Sequence, residues 1–252
     1  MLRGDSIERS ATEEQLLRAH AVEHLDRLRE IEGPEHLDPD TVASETSWEA
    51  VTLAAGITLE AVDRNGFALI RPPGHHALAD RAMGFCLINN VVVAARYAQA
   101  ELGLERIAIL DLDVHHGNGT EAIVRDDESI FFVSLHQWPF YPGTGGPDTT
   151  SWNILNVPLP GGSGDAEYAT ALARIVEPRV ADFGPDLLLV SAGFDAHADD
   201  PLGDMQLTAN GFRELASRAT QLAPRVAAVL EGGYNLETLP ALVEAALEGF
   251  AS

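Results

Sequence analysis

Asp113 and His115 stand two residues apart in the run DLDVHHGNG. In an extended segment alternate side chains point the same way, so both can grip one ion. Asp195, in the run SAGFDAHADD, can complete a three-donor set. Two carboxylates and one imidazole suit zinc with a fourth position open to water or substrate. Their two negative charges match the charge of a divalent cation. An isolated Asp-Val-His more often has a plainer role, with the Asp capping the next helix beside a buried His. The other polar runs of this chain weigh against that role.

His75 and His76 follow Pro72, Pro73 and Gly74 in RPPGHHA. The prolines stiffen the turn and the glycine lets backbone approach closely. Two neighbouring imidazoles beside a metal can serve as general base and acid. Each needs an orienting partner on its other ring nitrogen, and Asp111 and Asn118 are the candidates. A carboxylate partner holds its histidine charged. A neutral Asn leaves its histidine nearer an ordinary pKa, fit to accept a proton near pH 7. Tyr234 follows Gly232 and Gly233 in EGGYN. Its phenol could donate to an oxyanion held by the same metal, the plainer alternative being an ordinary turn tyrosine.

These runs share one position: each follows an apolar segment with strand character. Strands are expected at 67–70, 106–110, 130–135, 186–191 and 226–230, with a weaker one at 154–157. Most are continuous apolar runs, as when both sheet faces are covered. Helices are expected over 12–31, 47–62, 86–102, 165–182, 208–222 and 236–250. Thr12 and Gln15 can form a capping box at the first, and Gly33 and Pro34 stop it. In the fourth, Tyr168, Leu172, Ile175, Val176 and Val180 form the buried stripe. Thr208 caps the fifth, where Leu207 can staple against Phe212. Helices alternating with strands predict a parallel α/β sheet, with its site at the carboxyl ends of the strands. Of nine histidines, six (His75, His76, His115, His116, His136 and His197) fall just beyond such ends.

The chain has 252 residues and shows no internal repeat or low-complexity linker, so we read 1–252 as one domain. Net charge is −23, a field that repels nucleic acid. All 16 basic residues are arginine, which fits a GC-rich genome or, through the acidic surface, a salt-rich host. An acidic surface also attracts cationic substrates. The lone cysteine, Cys86, excludes an intrachain disulfide. With no leader-like apolar core and no run long enough to span a bilayer, a soluble cytoplasmic protein is expected.

Taken in order, RPPGHHA, GFCLINN, DLDVHHGNGT, SLH, YPGTG, NVPLP, SAGFDAHADDPLG and EGGYN resemble the histone deacetylase family across about residues 12–250. That family includes bacterial and archaeal deacetylases and acetylpolyamine amidohydrolases. Asn118 and the EGGYN form resemble its class II branch. The resemblance implies the arginase–deacetylase fold, a mostly parallel sheet with helices on both faces. It implies Asp113, His115 and Asp195 as ligands of zinc, with ferrous iron the alternative in the cell. It pairs His75 with Asp111 and His76 with Asn118. His76 would be the general base and then the acid, His75 mainly electrostatic, and Tyr234 the oxyanion donor. Gly84, Phe85, Tyr141, Leu202 and Gly233 match positions around the acyl-lysine tunnel. A structural potassium ion would take Asp111, Asp113, His115, Ser134 and Leu135, partly through carbonyls.

The implied reaction is hydrolysis of an acetylated lysine, in a peptide or a small amine, with release of acetate. Polyamine-specific relatives carry a glutamate where this chain has Leu202, which favours a neutral-stemmed substrate. An acetylpolyamine amidohydrolase, a catalytically inactive acyl-peptide binder and a two-manganese hydrolase of the arginase type are the alternatives. The arm before the first helix and the stretches 62–68 and 145–153 are short for the family. These departures bear on rim shape, substrate choice and any homo-oligomer.

Overall fold

Continuous apolar runs become the sheet because helices must cover both of its faces. In the computed structural model, which describes residues 4–252, the strands are β1 (Glu35–His36), β2 (Val42–Ala43), β3 (Phe67–Ala68), β4 (Ile107–Asp111), β5 (Ile130–Gln137), β6 (Ile154–Leu159), β7 (Leu187–Ala192) and β8 (Val226–Leu230). The α-helices are α1 (Glu13–Leu17), α2 (Val22–Arg29), α3 (Ser47–Arg64), α4 (Asn90–Leu102), α5 (Asn118–Val124), α6 (Asp165–Ala171), α7 (Glu177–Phe183), α8 (Ala209–Ala219) and α9 (Leu239–Phe250). Six strands form one sheet in the order β3-β8-β7-β4-β5-β6, every neighbouring pair parallel. β1 and β2 make a separate antiparallel pair.

Alternation along each strand divides the interior into two cores. Ile107 and Ile109 join Leu59, Val62 and Val91 of α3 and α4 on one face. Ala108 and Leu110 join Tyr168, Val180 and Phe212 of α6 to α8 on the other. β4, β5 and β7 are buried along their whole length. β6 is a full six-residue edge strand and not a weak one, and its Pro158 is tolerated because an edge strand can spare a donor. β3 stops at Ala68, short of the expected Ile70, just before Arg71-Pro72-Pro73.

Several helices depart from the periodicity reading. The single helix expected over 12–31 is two helices. The Thr12–Gln15 capping box is present. At the break Ala21 donates its N–H to the Ala79 carbonyl at 2.8 Å, and His20 Nε2 accepts the Asn89 N–H at 2.8 Å. His24 lies on the buried face of α2, donating from Nε2 to the Leu87 carbonyl at 2.8 Å. α4 begins only at Asn90, capped by the Asn89 side chain. Thr208 caps α8 as expected. Between α6 and α7 the chain passes through a π-helical segment, Leu172–Val176. There the expected stripe fails at one residue: Tyr168, Leu172, Val176 and Val180 are buried, but Ile175 is 44% exposed. The wider turn rotates it off the core face. No helix among the described residues is long and apolar enough to cross a membrane.

Candidate active site and metal centre

β4, β5, β7 and β8 all end on one side of the sheet, and the polar runs leave from those ends. Asp113, His115 and Asp195 are buried there with their donor atoms within 4.8 Å of one another. His115 Nδ1 lies 3.1 Å from Asp113 Oδ1 and 3.2 Å from Asp195 Oδ2. Backbone donors orient both acids: Gly232 N–H meets Asp113 Oδ2 at 2.7 Å, and Val114 N–H meets Asp195 Oδ1 at 2.9 Å. Position 232 must be glycine, since a Cβ would stand 2.0 Å from Asp195 Oδ2. Burial and the charge of Asp113 push the Asp195 carboxyl up to about 7. Despite its burial, the hydrogen bonds to both acids raise His115 to about 10. Two buried acids and an imidazole converging this closely are a donor set that fits a divalent cation.

The tandem histidines sit beside this set with their rings 4.0 Å apart. His75 donates from Nδ1 to Asp111 Oδ2 at 3.0 Å, and His76 donates from Nδ1 to Asn118 Oδ1 at 2.7 Å. Asn118 in turn donates from Nδ2 to the Met83 sulfur at 3.3 Å, fixing which way its amide points. Burial opposes charge on His75, yet Asp113, Asp111 and Glu231 together hold its pKa well above the usual value. Burial and the charge of His75 drive His76 well below it. The two imidazoles therefore separate further than their partners alone suggest, one charged and one neutral.

A cavity of about 340 Å³ opens over these groups, lined by His76, Gly84, His115 and Tyr234 at depth and by the exposed Phe85, Tyr141 and Leu202 nearer the mouth. The His76 ring meets Tyr141 edge-on at 5.2 Å, and Phe85 meets Tyr234 at 5.7 Å. Gly84 adopts φ +57°, and a Cβ there would stand 2.5 Å from the His76 ring. Burial raises the Tyr234 hydroxyl far above its usual range, so it remains a donor. Gly233 does not line the cavity; its backbone, at φ +130°, turns the chain into Tyr234. Ser134 pairs with Asp111 in the β4–β5 register, and its hydroxyl lies 2.9 Å from His136 Nδ1, with Leu135 buried next to it.

Of the other lining residues, Pro201 lies inside the run SAGFDAHADDPLG, while Asp40, Phe140 and Asp204 fall outside every run. Asp40, Phe140, Pro201 and Asp204 join the mouth, Asp40 from the link between β1 and β2. Glu231 is fully buried, and its Oε2 accepts the N–H groups of Gly74 at 2.6 Å and His75 at 3.2 Å. Burial pushes its carboxyl up to about 7, with His75 opposing. Its place inside the EGGYN run was the signal available.

Residues 3–250 match the histone deacetylase domain. A rice protein (Oryza sativa subsp. japonica), histone deacetylase 10, chloroplastic, is 44% identical over 232 residues, covering 83% of this chain and 52% of its own length. The histone deacetylase-like amidohydrolase of Pseudomonas aeruginosa is 41% identical over 251 residues, covering 91% of this chain and 66% of its own length. The chain thus spans about half the length of the rice relative. The crystal structure of the HDA15 HD domain superposes with a TM-score of 0.93 at 39% identity, over 96% of this chain and 73% of that one, so the architecture is the arginase–deacetylase fold.

Proposed function

We propose that this chain, which belongs to the histone deacetylase family, hydrolyses the amide of acetylated lysine or of a small acetylated amine and releases acetate. The observation that carries this reading is the pairing of His75 with Asp111 and of His76 with Asn118 beside three convergent donors on a cavity wall. Asp113, His115 and Asp195 would hold zinc, with ferrous iron the alternative. When bound, such an ion polarises an amide carbonyl and acidifies water. His76, kept neutral, takes the proton from the attacking water and returns it to the departing amine. His75, kept charged by Asp111, favours the negative charge that develops. Tyr234 donates its hydroxyl proton in a hydrogen bond to the developing oxyanion. Phe85 and Tyr141 wall the aliphatic stem of the substrate. Oxygens of Asp111, Asp113, His115, Ser134 and Leu135 would take a potassium ion.

An acetylated polyamine is the second reading. Exposed Asp40 and Asp204 carboxylates at the mouth favour a cationic chain, whereas Leu202 favours a neutral stem. The test is acetate release by the zinc-loaded protein from an acetyl-lysine peptide and from N-acetylputrescine. Release from the peptide at the higher kcat/KM supports the first reading. Preference for the polyamine supports the second, and zinc binding without acetate from either overturns both. Two transition ions per chain would point instead to arginase-type chemistry.

A further inference from the structure

The tandem histidines and Tyr234 ride on two different loops, at the ends of β3 and β8. Those strands pair only through Phe67↔Ala228 and Ala68↔Val229. Beyond that point no strand pairing joins the two loops, and Pro72 and Pro73 have no N–H to give. Two polar side chains take over, each reaching across to the other loop's backbone. The Arg71 guanidinium donates from one arm to the Glu231 carbonyl and from the other to the Gly233 carbonyl at 3.0 Å. In return the Glu231 carboxylate accepts the N–H groups of Gly74 and His75. Its second oxygen accepts the Ser191 hydroxyl at 3.2 Å, which anchors the arrangement to β7. Arg71 also stands 5.8 Å from the centre of the Tyr234 ring.

We propose that Arg71 and Glu231 are a reciprocal pair of positioning residues that lock the tandem-histidine loop to the tyrosine loop. Neither need touch substrate. Each grips the backbone next to the groups that the other loop carries, so the spacing between His76 and Tyr234 depends on both. The Arg71 bonds have an ionised donor and are stronger than neutral ones, which suits a join that must replace sheet pairing. Acid–base and oxyanion groups act on one reacting centre, and small errors in their spacing are costly.

The inference rests on the proposed deacetylation only for its kinetic arm. The experiment compares wild type with Arg71→Ala, Arg71→Lys and Glu231→Gln, all zinc-loaded. Hydrogen exchange is followed in peptides covering 71–78 and 230–236, and kcat and KM on an acetyl-lysine peptide. In Arg71→Ala, exchange should quicken in 230–236. In Glu231→Gln it should quicken in 71–78, while the peptide covering β4 keeps its wild-type rate. kcat should fall roughly 10- to 100-fold with KM nearly unchanged, and Arg71→Lys should recover part of it. Wild-type exchange in both loops of Arg71→Ala, whose side chain is exposed and outside the core, would overturn the proposal. So would wild-type kcat in every variant. A wild-type protein inactive on every acylated amine would sink the functional reading, while the exchange arm would still decide the lock.

Discussion

His75 and His76 are adjacent in the chain, their ring centres 4.0 Å apart and their planes tilted by 40°, yet their Nδ1 atoms meet a carboxylate and an amide respectively. One atom in the partner, oxygen in Asp111 or amide nitrogen in Asn118, separates a histidine that keeps its charge from one that gives it up. The charge on the first then helps to suppress charge on the second.

Asn118→Asp tests that separation. A carboxylate at 118 would stabilise the imidazolium of His76 and raise its pKa. The neutral, proton-accepting form would then need a higher pH. The acidic limb of the kcat/KM profile should move upward by about one unit or more, so activity at a pH on that limb falls about tenfold per unit moved while the plateau above it is kept. An unmoved limb would remove His76 from the base role.

Tyr234→Phe removes the hydroxyl and leaves the ring against Phe85. Loss of an oxyanion donor lowers kcat by roughly 10²–10³-fold. Steady-state kinetics on an acetyl-lysine peptide should show that fall at near-constant KM. Full activity would show that the donor lies elsewhere.

Asp195→Ala takes one carboxylate from the three-donor set and leaves the Val114 N–H without its acceptor. Metal analysis after dialysis against trace zinc should find the wild type near one ion per chain and the variant almost empty. Retention of zinc by the variant would place the metal somewhere else.

His20 links folding to pH. Burial and neighbouring His24 lower its pKa from the ordinary 6.5 to about 4. Between those values the unfolded chain binds more protons than the folded one, so stability falls as pH falls. The full shift corresponds to at most about 3 kcal/mol. Melting of the metal-loaded protein from pH 7 to 4.5 should show a steeper loss in wild type than in His20→Gln. Equal slopes would mean that His20 titrates normally.

Legibility followed physical locality. Asp113 and His115 were readable because an extended backbone aims alternate residues the same way, and the sheet supplies that backbone. Asp195 could be joined to them because parallel strands deliver their carboxyl ends to one side. The break between α1 and α2 was hidden, since Leu17, Ala21, His24 and Leu28 keep a helical period through it. What interrupts the helix is a set of distant partners, Ala79 and Asn89, that no local pattern contains. Asp40 was hidden for the same reason, reaching the mouth from a two-residue strand pair far from the motifs. Two of the bonds that the Glu231 carboxylate accepts come from backbone N–H groups, which leave no mark on residue type.

The π-helical segment at Leu172–Val176 has a consequence for the length of the chain. In an uninterrupted α-helix each residue advances about 100°, so Tyr168 and Val180, twelve positions apart, would point about 120° away from each other. With one residue fewer between them the mismatch shrinks to about 20°. Both are buried against the same core, so the wide turn absorbs a supernumerary residue, and Ile175 is the side chain it turns out to solvent. A homologue shorter by a single residue here can keep the same packing with ordinary α-helix throughout, which makes this stretch a place where the family can gain or lose a residue without rebuilding its interior.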